Sequence, residues 1–159
     1  MRVAVVIVGL VFLAAPAGVA QQSGPQFGGG GAAQYNGYAF VECTASNAPA
    51  VRLVLMQGLV PAALPASAPR PSLAVILTGG VDGIAGKEIA LSKDPAGAGR
   101  ILSCPVVGEC VPAETGTVTV QPRGADGALS GEFRATWPPI PQRTGKFTIA
   151  WRDSGKTCG

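Results

Sequence analysis

Two stretches near the C-terminus, LSGEFRATW at residues 129–137 and KFTIAWR at residues 146–152, decide the fold class of this chain. In both, apolar residues alternate with polar or charged ones, which is the two-residue period of a strand with one buried face. The period places Phe133 on the apolar face of the first stretch and Phe147 on that of the second. We therefore predict that the two stretches pair as an antiparallel hairpin with a single apolar face.

The two stretches also share a short internal echo. The pattern G-x-F-x-x-x-W begins at Gly131 and again at Gly145. Two tryptophans can form a platform for a sugar, but Trp137 and Trp151 lie in phase with the phenylalanines of their strands. We therefore assign both tryptophans to the core.

Short strands separated by turn residues extend this pattern toward the N-terminus. β-branched and aromatic residues, which favour strands, concentrate in these segments, and Gly, Pro and Asn separate them. Residues 61–71 hold four prolines that lack backbone donors, so an extended loop is predicted there. No segment after the first twenty residues shows helical periodicity beyond about two turns. We predict an all-β fold, a small antiparallel β-sandwich or β-barrel at residues 38–159, with further strands at residues 38–45, 50–57, 72–78, 88–92, 99–103 and 116–121.

The first twenty residues have the three-part layout of a secretion signal. Arg2 forms a short positive region, an apolar run covers residues 3–15, and the small residues Gly18 and Ala20 suit cleavage after Ala20. The apolar run is short against the about 20 residues of a membrane-spanning helix, so an uncleaved anchor is the less favoured alternative. Residues 21–37 are rich in Gly and Gln and are predicted to form a flexible leader. We expect an exported chain, periplasmic or extracellular, with no membrane span after cleavage.

The chain holds four cysteines, all beyond the predicted cleavage site, and an even number predicts two structural disulfides in an exported protein. Three pairings are possible. We favour Cys104–Cys110 across a short loop, with Cys43–Cys158 joining the first strand to the last. The sequence has no Cys-x-x-Cys motif, which is typical of redox-active cysteine pairs. It therefore also lacks the two such motifs that are usual in a four-thiolate zinc site.

Composition argues against several kinds of chemistry. The chain has no histidine, which removes Ser-His-Asp and Cys-His catalysis and histidine-ligated metals. Without Arg2, eleven basic residues face nine acidic ones, and a net charge of +2 is too weak to indicate a nucleic-acid partner. Nothing fixes Glu109 and Glu114 as a catalytic pair, and the Gly-rich residues 79–87 do not match a phosphate-binding loop. We expect no cofactor, no metal and no catalysis; an enzyme that works without histidine is the remaining alternative.

Two loops are the candidate binding elements. In WPPIPQR, residues 137–143, three prolines stiffen the backbone and are expected to present Ile140 and Arg143 at the tip. The predicted Cys104–Cys110 disulfide would close a second loop, which presents Val106 and Val107. We expect a non-catalytic exported module that binds another macromolecule in the envelope or outside the cell, or a structural component there. One alternative is a small inhibitor that presents one rigid loop to a hydrolase. Another is that the two loops only connect strands and have no binding role.

Overall fold

The computed structural model describes residues 32–159, which form nine β-strands and one short helix. The strands are β1 (Ala33–Cys43), β2 (Pro49–Met56), β3 (Ser72–Thr78), β4 (Lys87–Ser92), β5 (Gly99–Cys104), β6 (Val111–Pro112), β7 (Thr115–Val120), β8 (Ala128–Trp137) and β9 (Ile140–Trp151), and the helix is α1 (Val81–Ile84). The all-β fold class is confirmed. The sequence does not predict β6 and α1, which are too short to leave a periodic pattern. The predicted signal at residues 1–20 and residues 21–31 of the predicted leader lie outside the described residues.

The strands form one sheet in the order β4-β7-β8-β9-β1-β2-β3-β5-β6, and this sheet curls into a nearly closed barrel. Neighbouring strands are antiparallel except β1 and β9, which run parallel from the pair Ala33 and Gly145 onward. Strands β4 and β5 meet where the barrel closes, and Gly99 of β5 leaves room there for the side chains of Leu77 and Leu91. Of the two architectures that the sequence allows, the barrel is the one that forms.

The β8–β9 hairpin has the faces that the alternating pattern predicts. Its apolar face points into the barrel, where Phe133 and Phe147 are 2 % and 1 % exposed. Gly131 pairs with Phe147 across the strands, and Gly145 pairs with Phe133. A Cβ atom at Gly145 would lie 2.5 Å from the Phe133 ring, and one at Gly131 would lie 2.6 Å from the Phe147 ring. The repeated motif is therefore reciprocal, because each glycine leaves the space that the opposite phenylalanine fills.

Apolar side chains gather in two clusters, one on each side of the sheet. The interior cluster fills the barrel and includes Trp137, and Trp151 packs against it partly buried. The outer cluster is smaller and consists of Tyr38, Val54 and Met56. Residues 57–71 cover this outer cluster without forming a strand, as predicted for residues 61–71. This covering loop adds Val60, Leu64 and Ala68 to the outer cluster.

The predicted Pro-rich loop at residues 137–143 is wrong in its extent. The turn consists of two prolines, and β9 already begins at Ile140, opposite Trp137. The ladder is irregular just beyond this pair, so Pro141 joins the strand although it has no N–H to donate. A high density of prolines thus indicated a longer loop than the one that forms.

The predicted leader at residues 21–37 is also wrong in its extent, because its last residues belong to the barrel. Strand β1 begins at Ala33, ahead of the predicted start, and Tyr35 is buried in the interior cluster. Gly37 has a φ of 150°, and a Cβ atom there would lie 1.8 Å from the carbonyl oxygen of Val54. The strand therefore requires a glycine at this position. Because a Gly-rich composition is also typical of flexible leaders, the sequence did not reveal that the strand begins this early.

Candidate functional site

The two disulfides form with the predicted pairing. Cys43 bonds to Cys158, and their Cα atoms lie 5.5 Å apart; Cys104 bonds to Cys110. The first bond fastens the C-terminal tail to the end of β1, the strand that lies beside β9. Among the described residues no cysteine is free. Structural disulfides persist in oxidising compartments, so both pairs indicate that the protein works in one.

The shorter disulfide closes the loop of residues 104–110, and Arg70 holds this disulfide loop from outside. Nη1 of Arg70 donates hydrogen bonds to the carbonyl oxygens of Pro105, at 3.3 Å, and of Gly108. Nη2 donates a weaker hydrogen bond to Sγ of Cys110, at 3.6 Å. The loop is therefore fixed both by a covalent bond and by an arginine from a distant part of the chain.

Val106 and Val107 project from the disulfide loop into solvent. They are 63 % and 84 % exposed, although valine is among the residue types that are most often buried. The structure thus places these two predicted binding residues at the tip of a clamped loop.

The other two predicted binding residues lie in β9 and not at a loop tip. Ile140 is 42 % exposed beside the two-proline turn. Arg143 is half-buried, and its guanidinium carbon lies 6.0 Å from the centroid of the Trp137 ring, in cation–π contact. The prediction of a tip position is therefore wrong for Arg143, because strand alternation directs it to the same side as Phe147.

The large apolar side chains that are exposed within residues 32–159 lie at the same end of the barrel, and we call them together the apolar rim. Its members are Leu59, Val106, Val107, Val111 and Ile140. Leu59 and Arg70 both line one surface cleft, and Arg70 holds the disulfide loop. Farther along, Trp137 Nε1 donates a hydrogen bond to the carbonyl oxygen of Val111 at 3.1 Å, and Ile140 pairs with Trp137. The apolar rim thus runs from the loop after β2, across the disulfide loop, to the turn of the β8–β9 hairpin.

A cleft of about 400 Å³ opens beside the apolar rim, between β1, the end of β2 and the start of β3. We call it the Arg70 cleft. Tyr35, Leu55 and Leu73 of the interior cluster line it, together with Arg70 and Ser72. Oγ of Ser72 is buried and has no hydrogen-bond partner among the described residues. Among the described residues that line the cleft, Arg70 is the only charged one.

A second cleft, of about 410 Å³, lies over the outer cluster between Tyr38 and residues 64–68. Two of its side chains, Glu42 and Arg52, form an ion pair at 2.7 Å. The guanidinium carbon of Arg152 lies 5.0 Å from the Tyr38 ring centroid, and Nη2 donates a hydrogen bond to a carbonyl oxygen of the covering loop. The hydrogen bond from Arg152 fastens the covering loop to the barrel, and the other two contacts lie within the barrel.

The perturbed titratable groups of the site are tyrosines. Burial raises the pKa of Tyr35 above its usual value, and the positive charge of Arg143 opposes the rise. Burial also raises the pKa of Tyr38, opposed by Arg152 and then by Arg52. Both phenols therefore stay protonated at neutral pH. Residues 32–159 contain no group of three potential metal-ligating side chains, and none of their helices is long and apolar enough to cross a membrane.

The chain matches no family model, no curated protein and no solved structure at a significant level. The candidate site therefore rests on the geometry described above.

Sequence reasoning identified part of this site and missed the rest. It singled out Val106 and Val107, but not Leu59, Arg70 or Ser72. The hydrogen bonds of Arg70 to the disulfide loop span 35 to 40 residues, and no local pattern reports a contact of that separation. The one available signal was an isolated cation within a proline-rich run.

Proposed function

We propose that this protein is an exported, non-catalytic binding module that holds another protein of the cell envelope or the secreted fraction against the apolar rim. The observation that carries the proposal is the grouping of the exposed large apolar side chains of the described residues in this one region. Apolar side chains that are exposed singly and apart are normal in soluble proteins, whereas a group of them marks an interaction site.

The clamped loop adds to this argument. The Cys104–Cys110 bond and Arg70 fix the backbone on either side of Val106 and Val107 before any partner arrives. A preordered loop loses little conformational entropy on association, so more of the free energy of burying its side chains appears as affinity.

Export is supported by two independent features. The disulfides suit an oxidising compartment, and the first twenty residues have the layout of a secretion signal. A periplasmic or extracellular protein would meet its partner in the envelope or outside the cell.

Affinity capture from the native exported fraction tests the proposal, with the purified protein as bait. We expect the wild type to retain a partner, and the combined variant Val106→Ser and Val107→Ser to lose it. Ala125→Ser is the matched control, because Ala125 is exposed in the turn between β7 and β8, outside the apolar rim. A partner that the valine variant retains as well as the wild type does would contradict the proposal.

Inhibition of a hydrolase is the second candidate function, and the clamped loop is the observation that favours it. An inhibitor must hold one loop in a fixed conformation while an apolar side chain enters the target, and Val107 is 84 % exposed on such a loop. The two candidates differ in what happens to the captured protein. Loss of its hydrolase activity with wild type, but not with the valine variant, would establish the inhibitor; unchanged activity would establish the binding module.

A further inference from the structure

We propose that the second cleft, which we call the Glu42 cleft, binds a neutral saccharide. Hydroxyl groups of one sugar unit pair with Glu42 and Arg52, and the apolar face of its ring contacts Phe40. This inference does not rest on the proposed function, because no residue of the apolar rim lines the Glu42 cleft.

The three side chains that would hold the sugar lie on one side of the sheet. Phe40 and Glu42 are two residues apart on β1, and Arg52 of β2 pairs directly with Phe40. Residues two apart on a strand point to the same side, and so do residues directly opposite each other on neighbouring strands. Tyr38 and Val54 of the outer cluster have the same phase, so this side is the outer one. One ligand can therefore contact all three side chains.

These side chains are open to a ligand. Phe40 is only partly buried, and the side chains of Arg52 and Glu42 are 29 % and 18 % exposed. Tyr38 also lines the cleft but is buried, so it supports the floor without contacting the ligand. Its ring lies beside that of Phe40, with the centroids 6.0 Å apart and the planes inclined at 26°. The volume of about 410 Å³ lies within the range of about 300–1,000 Å³ that is typical of small-molecule sites.

The ion pair leaves hydrogen-bonding atoms free. Nε of Arg52 donates to Oε2 of Glu42, and neither side chain has another hydrogen bond within residues 32–159. Both Nη groups of Arg52 and Oε1 of Glu42 therefore have no partner there. The buried side-chain atoms that lack a partner in the described part of the chain are Ser72 Oγ and Arg152 Nη1. The free atoms of the ion pair are therefore accessible to solvent and to a ligand.

This pair of groups favours a neutral ligand that is rich in hydroxyls. A guanidinium only donates hydrogen bonds, and an ionised carboxylate only accepts them. An anion that pairs with Arg52 would meet the like charge of Glu42, and a cation that pairs with Glu42 would meet the like charge of Arg52. A hydroxyl both donates and accepts, so neighbouring hydroxyls of a sugar can satisfy both side chains at once. The C–H groups on the face of the sugar ring would then cover Phe40.

Two fastened segments form the walls of the cleft. Residues 64–68 of the covering loop form one wall, and Ser154 of the C-terminal tail contributes to another. Arg152 ties the covering loop to the barrel through its hydrogen bond to a loop carbonyl oxygen. Ser154 Oγ donates a hydrogen bond to a carbonyl oxygen of β1 at 2.6 Å, and the Cys43–Cys158 disulfide fastens the same tail. Walls that are fixed before the ligand arrives lose little conformational entropy on binding.

Nuclear magnetic resonance titration of the purified protein tests the class of ligand, with cellobiose, maltose and chitobiose as probes. We expect at least one of them to shift the amide signals of residues 40–42, 52 and 64–68 saturably. Sorbitol, which has hydroxyls but no ring, should bind at least about tenfold more weakly than that disaccharide. The acidic disaccharide digalacturonate should bind no more tightly than it. No saturable shift with any of the three disaccharides, equal binding of sorbitol, or tighter binding of digalacturonate would overturn the proposal.

Glu42→Gln tests the ion pair. The glutamine keeps an oxygen that accepts the hydrogen bond from Arg52 but loses the free acceptor, so the affinity for the bound disaccharide should fall about tenfold. Glu88→Gln is the matched control, because Glu88 is exposed on β4 and does not line the cleft, and it should leave the affinity unchanged. Full binding by Glu42→Gln, or an equal loss in both variants, would contradict the proposed site.

Phe40→Leu tests the contact with the sugar ring. Leucine keeps an apolar side chain in the outer cluster but removes the flat ring, so the affinity should fall about fivefold. Thermal unfolding of each variant accompanies the titrations. If Phe40→Leu does not fold, the comparison of Glu42→Gln with Glu88→Gln decides. Unchanged affinity in a folded Phe40→Leu variant would show that the sugar ring does not lie on Phe40 and would overturn the proposed arrangement.

Discussion

The β8–β9 hairpin and the disulfide loop at residues 104–110 are both held in one conformation, but by different means. In the hairpin, backbone pairing and the reciprocal fit of Phe133 and Phe147 bury every second side chain. In the loop, a covalent bond and Arg70 fix the backbone while the two valines at its tip stay exposed. In the hairpin the fixed conformation buries side chains and so stabilises the fold. In the loop the fixed conformation leaves side chains exposed and available to a partner.

The largest effect is expected in the hairpin. Phe147→Ala removes a ring that is 1 % exposed, so the free energy of unfolding should fall by about 3–5 kcal/mol through lost burial and a residual cavity. A domain of this size is stable by only about 5–15 kcal/mol, so denaturant unfolding should show the change clearly. Ile140→Ala on the same strand is the control and should stay within about 0.5 kcal/mol of wild type. A neutral Phe147→Ala variant would mean that the two faces of the hairpin are exchanged.

The disulfide loop should contribute less to stability. Replacing both Cys104 and Cys110 by Ala opens a closure of sequence separation 6. Such a short closure restricts the unfolded chain only modestly, so the free energy of unfolding should fall by about 2 kcal/mol. The same denaturant titration measures it, and hydrogen exchange of the loop amides should become faster. A loss as large as that of Phe147→Ala would show that the loop supports the fold.

The smallest effect is expected at the loop tip. Val106→Ser combined with Val107→Ser should change the free energy of unfolding by no more than about 0.5 kcal/mol, because both side chains are already exposed. Denaturant unfolding of this variant should therefore overlay that of the wild type. A substantial loss would mean that the valines pack against the barrel, and the contrast between loop and hairpin would disappear.

The hairpin could be predicted from sequence because its information is local. Strand alternation puts Phe133 and Phe147 on one face whatever the rest of the chain does. The Cys43–Cys158 pairing was also accessible, since it follows from placing the first strand beside the last. These features depend on the two-residue period of a strand or on a single assumption about which strands lie side by side.

The candidate site was only partly accessible for the opposite reason. Val106 and Val107 stood out because two cysteines flank them, but Arg70 gains its role through contacts between distant segments. The start of β1 was hidden because Gly37 reads as leader composition. The length of the turn before Ile140 was hidden because proline usually ends strands, and only the bulged ladder shows why Pro141 does not.

The central claim, that the apolar rim is a binding surface, is tested most directly by site-specific photo-crosslinking. A photo-reactive benzoylphenylalanine would replace Val107 in one sample and Ala125, exposed between β7 and β8, in another. After irradiation in the native exported fraction, position 107 should yield a covalent adduct with one defined protein, and position 125 should yield none. Adducts of equal yield at both positions, or an adduct at position 125 alone, would contradict the claim.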